Sequence, residues 1–385
     1  MVSESEFREE VLSFFQRVPQ LLEGIEDPFE RERTFLAASY DSNLGALNYP
    51  VEDGGRGLGQ SFIDIFRQEL RNQNSFSVGN GLGIGIDMCL PTIRDHGSEE
   101  IRKRFLKPGL RGEEIWCQLY SEPGAGSDLA GLTTRAELDG DEWVVSGQKV
   151  WTSGASVADL GILLARTNWD VPKHQGISML VLPMNQDGVE VRPLKQMTGT
   201  ASFNEVFMDN AKIPASWVVG TQGNGWRMAV ALLSHERSSL GSGGGRQPLS
   251  TTDLIDLAQQ SKAHTDPLTR QLLADLFSGN QIIKWLSLRA GIHPSIGKLW
   301  RTKQGQAASH VATKLAFPGG AAWEGEQLGS SETNRWAYGI CDAPAHSLGG
   351  GTDEIQKNTL GEKVLGLPRE PAVDIDIPFS EVKKN

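Results

Sequence analysis

The sequence predicts an α+β fold in which two helical regions flank a β-rich middle region. Three observations support this order: apolar residues recur at helical spacing before position 115, short apolar or alternating runs separated by turn residues fill positions 116–220, and helical spacing returns from Trp226 onward. At 385 residues the chain also exceeds what one hydrophobic core usually organises. We therefore expect an N-terminal helical domain at 1–115, a β-domain at 116–220 and a C-terminal helical domain at 221–385.

The first region contains four predicted helices, at residues 5–22, 29–40, 62–72 and 99–106. The first of them has Ser5 as a candidate N-cap and apolar positions at Phe7, Val11, Leu12, Phe15 and Val18. The glycine-rich residues 54–57 predict a loop. Pro108 is expected to end the last helix, which closes the first domain near Gly112.

Residues 79–85 read GNGLGIG and come close to a dinucleotide-binding glycine fingerprint. That fingerprint follows a buried strand, whereas residues 65–72 are polar and have helical spacing. We therefore reject the Rossmann interpretation and expect these glycines to allow close helix packing.

Two segments of the middle region combine turn residues with hydroxyl groups. Residues 117–121 alternate as a short strand and then break at a turn whose glycines, Gly124 and Gly126, are expected to bend the backbone so that its N–H groups point outward. Residues 142–153 predict two short strands around a Ser146-Gly147 turn, the second ending in an indole beside two hydroxyls. Such an arrangement suits a flat heterocycle, with the indole on its face and donors at its edge. Further strands are predicted at 161–165, 177–182 and 201–208.

The third region returns to helical spacing with Trp226, Ala229, Val230 and Leu233, and the glycine run 241–245 is expected to end that helix. Later helices are predicted at 268–276, 282–290 and 306–315. Asp266-Pro267 marks the start of the first of these.

Composition limits which binding partners and which cellular compartment we expect. A net charge of −11 disfavours nucleic acid and anionic membranes as partners. Cys89, Cys117 and Cys341 are isolated and lack metal-ligand spacing, so we expect no metal site and a reducing cytoplasm. The acidic N-terminus lacks an apolar run, so neither a signal peptide nor a spanning helix is expected.

The turn SEPGAGSD at 121–128 and the strand end GQKVWTS at 147–153 together resemble the flavin-binding signature of the acyl-CoA dehydrogenase family. The resemblance extends to YPVEDGGRG at 49–57 and to GGTDEIQ at 350–356, so it covers most of the chain. It implies a helical domain, a β-barrel-like domain and a helical bundle, with FAD as the cofactor. It also implies oxidation of an acyl-CoA thioester to its α,β-unsaturated product, with an electron-transferring flavoprotein as acceptor.

Many members of that family carry the catalytic base as a Glu directly before a Gly-Thr pair near the C-terminus. Here Gly351-Thr352 is preceded by Gly350, which has no basic side chain but retains an N–H to bind the thioester carbonyl. The isovaleryl and long-chain types instead place the base in a Glu-Arg pair on a helix after the β-domain, which matches Glu236-Arg237. The resemblance therefore implies Glu236 as the base and Arg237 as a substrate contact, the alternative being a solvated surface pair.

The resemblance also implies a set of flavin contacts: Tyr120, Ser121, Gly126, Ser127, Trp151, Thr152, Ser153, Thr352, Glu354 and Gln356, with Ser127 touching the CoA as well. The family commonly completes the site with an Arg-x-x-Phe-Gly stretch from a neighbouring subunit. This sequence lacks that stretch after Gly245, and either Arg246 or Arg270 is left to hold the pyrophosphate.

The implied assembly is a homotetramer or a dimer of heterodimers. Two other functions stay open at this point. One is a flavin monooxygenase of the same fold, which needs no carboxylate base. The other is a non-catalytic partner subunit, which the altered pyrophosphate region would suit.

Overall fold

The computed structural model describes residues 2–73, 82–241, 249–289, 291–317 and 334–382, without the side chains of residues 236–241, 287 and 334. The chain forms two compact units. The first comprises Met1–Pro193, Phe203–Glu236 and Val373–Asn385, and the second comprises Leu194–Ser202 and Arg237–Ala372. Among the described residues, no helix is long and apolar enough to span a membrane.

Five α-helices come first within the described residues: α1 Glu4–Leu21, α2 Pro28–Asp41, α3 Gln60–Asn72, α4 Leu90–His96 and α5 Glu99–Leu110. The expected cap of α1 was wrong, because Ser3 rather than Ser5 forms a capping box with Glu6. The expected break at Pro108 was also wrong, since α5 continues to Leu110. Burial of Gly109 and Leu110 stabilises this last turn despite the proline.

The glycine stretch at 79–85 is described only from residue 82 onward, where the chain is helical. Gly85 opens a π-helical turn, Gly85–Cys89, and a β-carbon there would lie 3.2 Å from Trp116 Cδ1. The segment before it is helix α3 rather than a strand, so close helix packing is confirmed at Gly85.

The middle region forms one sheet of eight strands within the described residues: β1 Trp116–Leu119, β2 Arg135–Asp139, β3 Glu142–Ser153, β4 Leu160–Arg166, β5 Ile177–Pro183, β6 Val189–Leu194, β7 Phe203–Pro214 and β8 Val218–Val219. The strand order is β6-β7-β3-β2-β4-β5-β8, with β1 parallel to β4. The predicted central sheet domain is confirmed. Its apolar side chains pack in one continuous core with those of α4, α5 and the first helix after the sheet.

The expected turn at Ser146-Gly147 is a β-bulge, because β3 is a single strand that shifts register against β7 between Val145 and Gly147. A β-carbon at Gly147 would lie 2.7 Å from the Cα of Thr134, so glycine here permits close backbone approach.

Six further helices follow in the described residues: α6 Gly225–Gly241, α7 Thr251–Gln260, α8 Pro267–Leu288, α9 Pro294–Leu315, α10 Asn334–Asp342 and α11 Asp353–Thr359. The start of α8 is confirmed, since Asp266 caps it. Helix α8 joins two predicted helices into one, and α9 begins twelve residues before its predicted start at Gln306. Gly279 does not break α8 because it packs against Gln304 of α9, and its carbonyl accepts from Trp300 Nε1 at 2.9 Å.

Candidate active site

The two signature segments of the middle region lie side by side in the first unit. The N–H of Val150 donates to the carbonyl of Ser121 at 2.9 Å, and Lys149 Nζ donates to the carbonyl of Tyr120, also at 2.9 Å. Tyr120 follows β1 and is buried, while Ser121 is half-buried. The structure therefore brings the turn 121–128 to the end of β3, as the signature predicts.

A buried ion pair fastens this junction. Lys149 Nζ lies 2.8 Å from Glu122 Oε1, and their exposed fractions are 0% and 7%. The same carboxylate accepts from the N–H of Thr134 at 2.9 Å and from the N–H and hydroxyl of Thr133 at 2.7 and 2.9 Å. Each carboxylate oxygen thus has two donors, which is how a charge becomes tolerable in a protein core.

Burial acts against both charges of this pair. It opposes ionisation of Glu122, but the nearby Lys149 ammonium and the threonine donors outweigh it and hold the pKa of the carboxyl well below its ordinary value. Burial also lowers the pKa of Lys149, with Glu122 offsetting part of the effect. Sequence reasoning assigned neither residue a role, although opposite charges in the two halves of the signature were the available signal.

The bend of this turn does not require a left-handed backbone at its glycines. The turn closes through reciprocal backbone hydrogen bonds of 3.0 Å between Glu122 and Ala125. Neither Gly124 nor Gly126 has a positive φ, and a β-carbon at either would meet no atom of the described residues within 4 Å. These glycines therefore leave open space in front of the turn, where Ser127 is exposed.

Trp151 has an unusual backbone for a large side chain. Its φ is 61°, in the left-handed region, at a second register shift of β3 between Lys149 and Thr152. The indole is 58% exposed and meets the ring of Phe203 edge-on at 5.9 Å. A non-glycine residue held this way costs on the order of 1–3 kcal/mol, and such strain clusters at functional sites.

Thr152 and Ser153 complete the strand end. Thr152 is buried, its carbonyl accepts from Asn204 Nδ2 at 3.0 Å, and its hydroxyl has no hydrogen-bond partner among the described residues. Ser153 is half-buried. A buried hydroxyl without a partner is costly unless a ligand satisfies it, so the structure indicates a polar ligand beside Trp151.

The remaining predicted flavin contacts lie in the second unit, at residues 349–356. These residues form a glycine-containing loop and the first turn of α11, and are called the loop 349–356 below. Gly350 and Gly351 have φ of 65° and 80°, and the Thr352 hydroxyl caps α11 by accepting from the N–H of Ile355 at 3.2 Å. Gln356 is buried, where it accepts from the Ser295 hydroxyl at 2.6 Å and donates to the Gly350 carbonyl at 2.8 Å. Glu354 is exposed. Thr352 and Gln356 therefore shape this loop.

The predicted base lies on α6, whose backbone is described at residue 236 although the side chains of Glu236 and Arg237 are not. The preceding His235 pairs with Asp95, with Nε2 and Oδ2 3.2 Å apart. Burial opposes ionisation of Asp95, yet hydrogen bonds from His235 and Arg94 hold its pKa well below the ordinary value. His235 thus makes a structural contact between α6 and α4.

The two candidate contacts to the FAD pyrophosphate are Arg246 and Arg270. Arg246 lies outside the described residues, and Arg270 is exposed on α8.

Comparison with known proteins gives the family. The N-terminal domain of acyl-CoA dehydrogenases matches residues 3–113, and the middle domain matches residues 117–211. The acyl-CoA dehydrogenase IpdE1 of Mycobacterium tuberculosis is 38% identical over 362 residues, covering 89% of this chain and 90% of its own length. The chain belongs to the acyl-CoA dehydrogenase family.

Solved structures of acyl-CoA dehydrogenases share the fold across nearly the whole chain. The Tcur3481-Tcur3483 steroid acyl-CoA dehydrogenase superposes with a TM-score of 0.76 at 27% identity, covering 95% of this chain and 98% of its own. The ChsE4-ChsE5 complex from Mycobacterium tuberculosis gives a TM-score of 0.70 at 26% identity, with the same coverages.

An acyl-CoA dehydrogenase uses FAD, and several residues of the first unit are suited to binding the flavin ring. Trp151 presents an exposed aromatic face, and Gly126 leaves room for close approach. Within the described part of the chain, the buried Thr152 hydroxyl has no hydrogen-bond partner. These residues would hold the ring system, while Glu122 and Lys149 keep the two segments that carry them together.

Proposed function

We propose that this acyl-CoA dehydrogenase uses Glu236 as the base that removes the α-proton of an acyl-CoA, with the N–H of Gly350 binding the thioester carbonyl. Bound FAD would accept the β hydrogen as a hydride, so the product is the α,β-unsaturated acyl-CoA. The position of Glu236 on α6 carries this proposal, because the alternative position before Gly351-Thr352 holds no carboxylate.

The chemistry demands two groups from the protein. An α-proton of a thioester is too weakly acidic for a free carboxylate, so the carbonyl oxygen must be stabilised as negative charge develops on it. Among the described residues, no backbone carbonyl accepts from the N–H of Gly350. That N–H suits a carbonyl ligand, and the proton passes to a carboxylate from another element.

The register of α6 supports Glu236 over a solvated surface role. An α-helix turns about 100° per residue, so position 236 falls near the face that carries Ala229 and Leu232. Both of those residues are buried.

We further propose a bulky, branched or ring-bearing acyl group as substrate. Three consecutive glycines, Gly349 to Gly351, add no side-chain volume beside the proposed carbonyl contact. The related solved structure described as a steroid acyl-CoA dehydrogenase supports this choice. A base on α6 also leaves that glycine loop free of a carboxylate, which favours branched, long or ring-bearing acyl groups over short straight ones.

Assembly with a second, related chain or with further copies of this one is part of the proposal, because the family completes its flavin site across subunits. The missing Arg-x-x-Phe-Gly stretch favours a related second chain, since another copy of this chain would lack it too. Two similar solved structures are described by pairs of chains, Tcur3481-Tcur3483 and ChsE4-ChsE5. A neighbouring chain would then supply the contacts to the pyrophosphate, and an electron-transferring flavoprotein would reoxidise the enzyme. The comparisons favour the dehydrogenase over the monooxygenase and the non-catalytic subunit.

Glu236→Gln tests the base directly. The amide keeps size and hydrogen bonding but loses basicity, so anaerobic flavin bleaching by a good acyl-CoA should slow at least about 10²-fold while FAD content persists. Glu190→Gln, which removes an exposed carboxylate on β6, is the matched control and should bleach at the parent rate. Bleaching of Glu236→Gln at the parent rate would make Glu236 a surface carboxylate and refute the mechanism.

The substrate class is tested by comparing kcat/KM for butyryl-CoA with values for branched-chain and steroid-ring acyl-CoA thioesters. A bulky thioester should be preferred. Butyryl-CoA that equals or exceeds every bulky substrate would contradict the assignment, and oxygenated product in air would point to the monooxygenase instead.

A further inference from the structure

Lys173, in the loop between β4 and β5, bridges two carboxylates that are distant in sequence. Its Nζ lies 2.9 and 3.1 Å from the two oxygens of Asp128 and 2.7 Å from Asp374 Oδ2. The Lys173 side chain is 9% exposed, whereas Asp128 is 61% exposed. Asp128 is the last residue of the turn 121–128 and directly follows Ser127, so a buried cation holds this end of the turn from behind.

Arg166 fixes the backbone on either side of this contact. The guanidinium is fully buried and donates to the carbonyls of Ala130, Leu132 and Lys173 at 2.6, 3.1 and 3.0 Å. It therefore ties the Lys173 loop to the short helical turn that follows Asp128. Burial lowers the pKa of Arg166 to about 10.

Asp374 belongs to segment 373–382, which is bound to the same loop of the first unit. The N–H groups of Phe379 and Ser380 donate to the carbonyls of Val171 and Trp169 at 2.9 and 2.8 Å. The Phe379 ring lies 3.5 Å from the Arg166 guanidinium carbon. The segment is thus held by backbone hydrogen bonds and a cation–π contact, and it presents Asp374 to Lys173.

We propose that Lys173 is a positioning residue for the flavin site, and that Asp374 of segment 373–382 orients its ammonium onto Asp128 to hold Ser127 and Gly126 in place. The inference rests on the proposed function in one respect, namely that the turn 121–128 contacts the flavin and the thioester. It does not depend on which residue is the base.

The charges favour this arrangement over a surface ion pair. Burial opposes the charged form of Lys173, but the hydrogen bonds to Asp374 and Asp128 outweigh it and raise the pKa of the ammonium. With Asp374 removed, the ammonium keeps Asp128 as a partner but loses the second carboxylate that fixes its position. The Lys173–Asp128 contact is then held less rigidly, and the conformation of the exposed turn is less restricted.

Asp374→Asn in the purified, FAD-loaded protein is the test, with FAD release followed by flavin fluorescence on dilution. A charge-assisted hydrogen bond is worth enough to raise the FAD dissociation constant about 10-fold. Asp374→Glu should restore affinity, and Glu190→Gln should leave it unchanged. Thermal unfolding of the FAD-free proteins should be similar for all three, which separates positioning from loss of folding.

A double variant shows whether the effect passes through Asp128. If it does, Asp128→Asn alone weakens FAD binding, and Asp374→Asn adds little on that background. Additive losses, unchanged FAD affinity in Asp374→Asn, or a loss fully explained by lower FAD-free stability would each overturn the proposal. Because FAD affinity does not need the base, Glu236→Gln can fail while this result stands.

Discussion

The turn 121–128 and the loop 349–356 both carry predicted flavin contacts and both contain glycines, yet they are held by different forces. Behind the turn, the buried Glu122–Lys149 pair joins two strand ends through charge. In the loop, Gln356 makes uncharged hydrogen bonds to Ser295 and to the Gly350 carbonyl. Loss of one charged partner behind the turn should therefore lower the free energy of unfolding by a large amount. Single substitutions in the loop should lower it by smaller amounts.

Their glycines differ as well. Gly126 has no positive φ and faces open space, so its role is the room it leaves. Gly350 has a φ of 65°, so its role is the backbone shape itself. The same residue type therefore serves a ligand in one region and a conformation in the other.

The largest expected effect is that of Lys149→Met. Removing the ammonium leaves Glu122 buried without its charge partner, which typically costs about 3–5 kcal/mol. Urea unfolding of the FAD-free protein measures this change. Lys149→Met combined with Glu122→Gln should cost less than Lys149→Met alone, since no uncompensated charge remains. A double variant at least as destabilised as the single one would mean that packing, not charge, dominates this junction.

Acid should weaken the turn before it affects the loop. The folded pKa of Glu122 lies below its ordinary value of 4.5, at about 2, so its contribution to stability is present above about pH 4.5 and is lost as pH falls toward 2. The free energy of unfolding against pH should fall more gently over that window in the Glu122→Gln, Lys149→Met double variant. Parallel curves for parent and double variant would contradict the assignment.

A smaller effect is expected in the loop. Gly350→Ala places a β-carbon at a φ of 65°, which costs about 1–2 kcal/mol. Gly349→Ala is the matched control, because its φ is not positive and its β-carbon would make only an ordinary 3.6 Å contact with the Ala345 carbonyl. Equal stabilities for the two variants, measured by thermal unfolding, would show that the left-handed backbone is not required there.

The smallest change in stability is expected for Gly126→Ala, within about 0.5 kcal/mol of the parent, because the new methyl group has no atom of the described residues within 4 Å. FAD affinity should nevertheless fall, since the methyl group occupies space proposed for the ligand. Titration of FAD-free protein with FAD measures this affinity. Unchanged affinity would remove Gly126 from the proposed flavin contacts.

Local patterns predicted much of the fold because they act over a few residues. Helical spacing and turn residues predicted the helical, β, helical order, and Asp266-Pro267 predicted the start of α8. The signature segments around Ser121 and Trp151 predicted the family. In each case the physical cause, a cap, a period or a motif, lies within one short stretch of chain.

Tertiary contacts decided the rest. Gly279 stays helical because α9 packs against it, and Gly147 forms a bulge because Thr134 crosses close by. Lys149 and Arg166 are buried because their partners, Glu122 and the carbonyls around residue 130, arrive from other parts of the chain. Charge burial depends on groups brought together only by folding, so a single sequence specifies the charged residues but not which of them the core will hold.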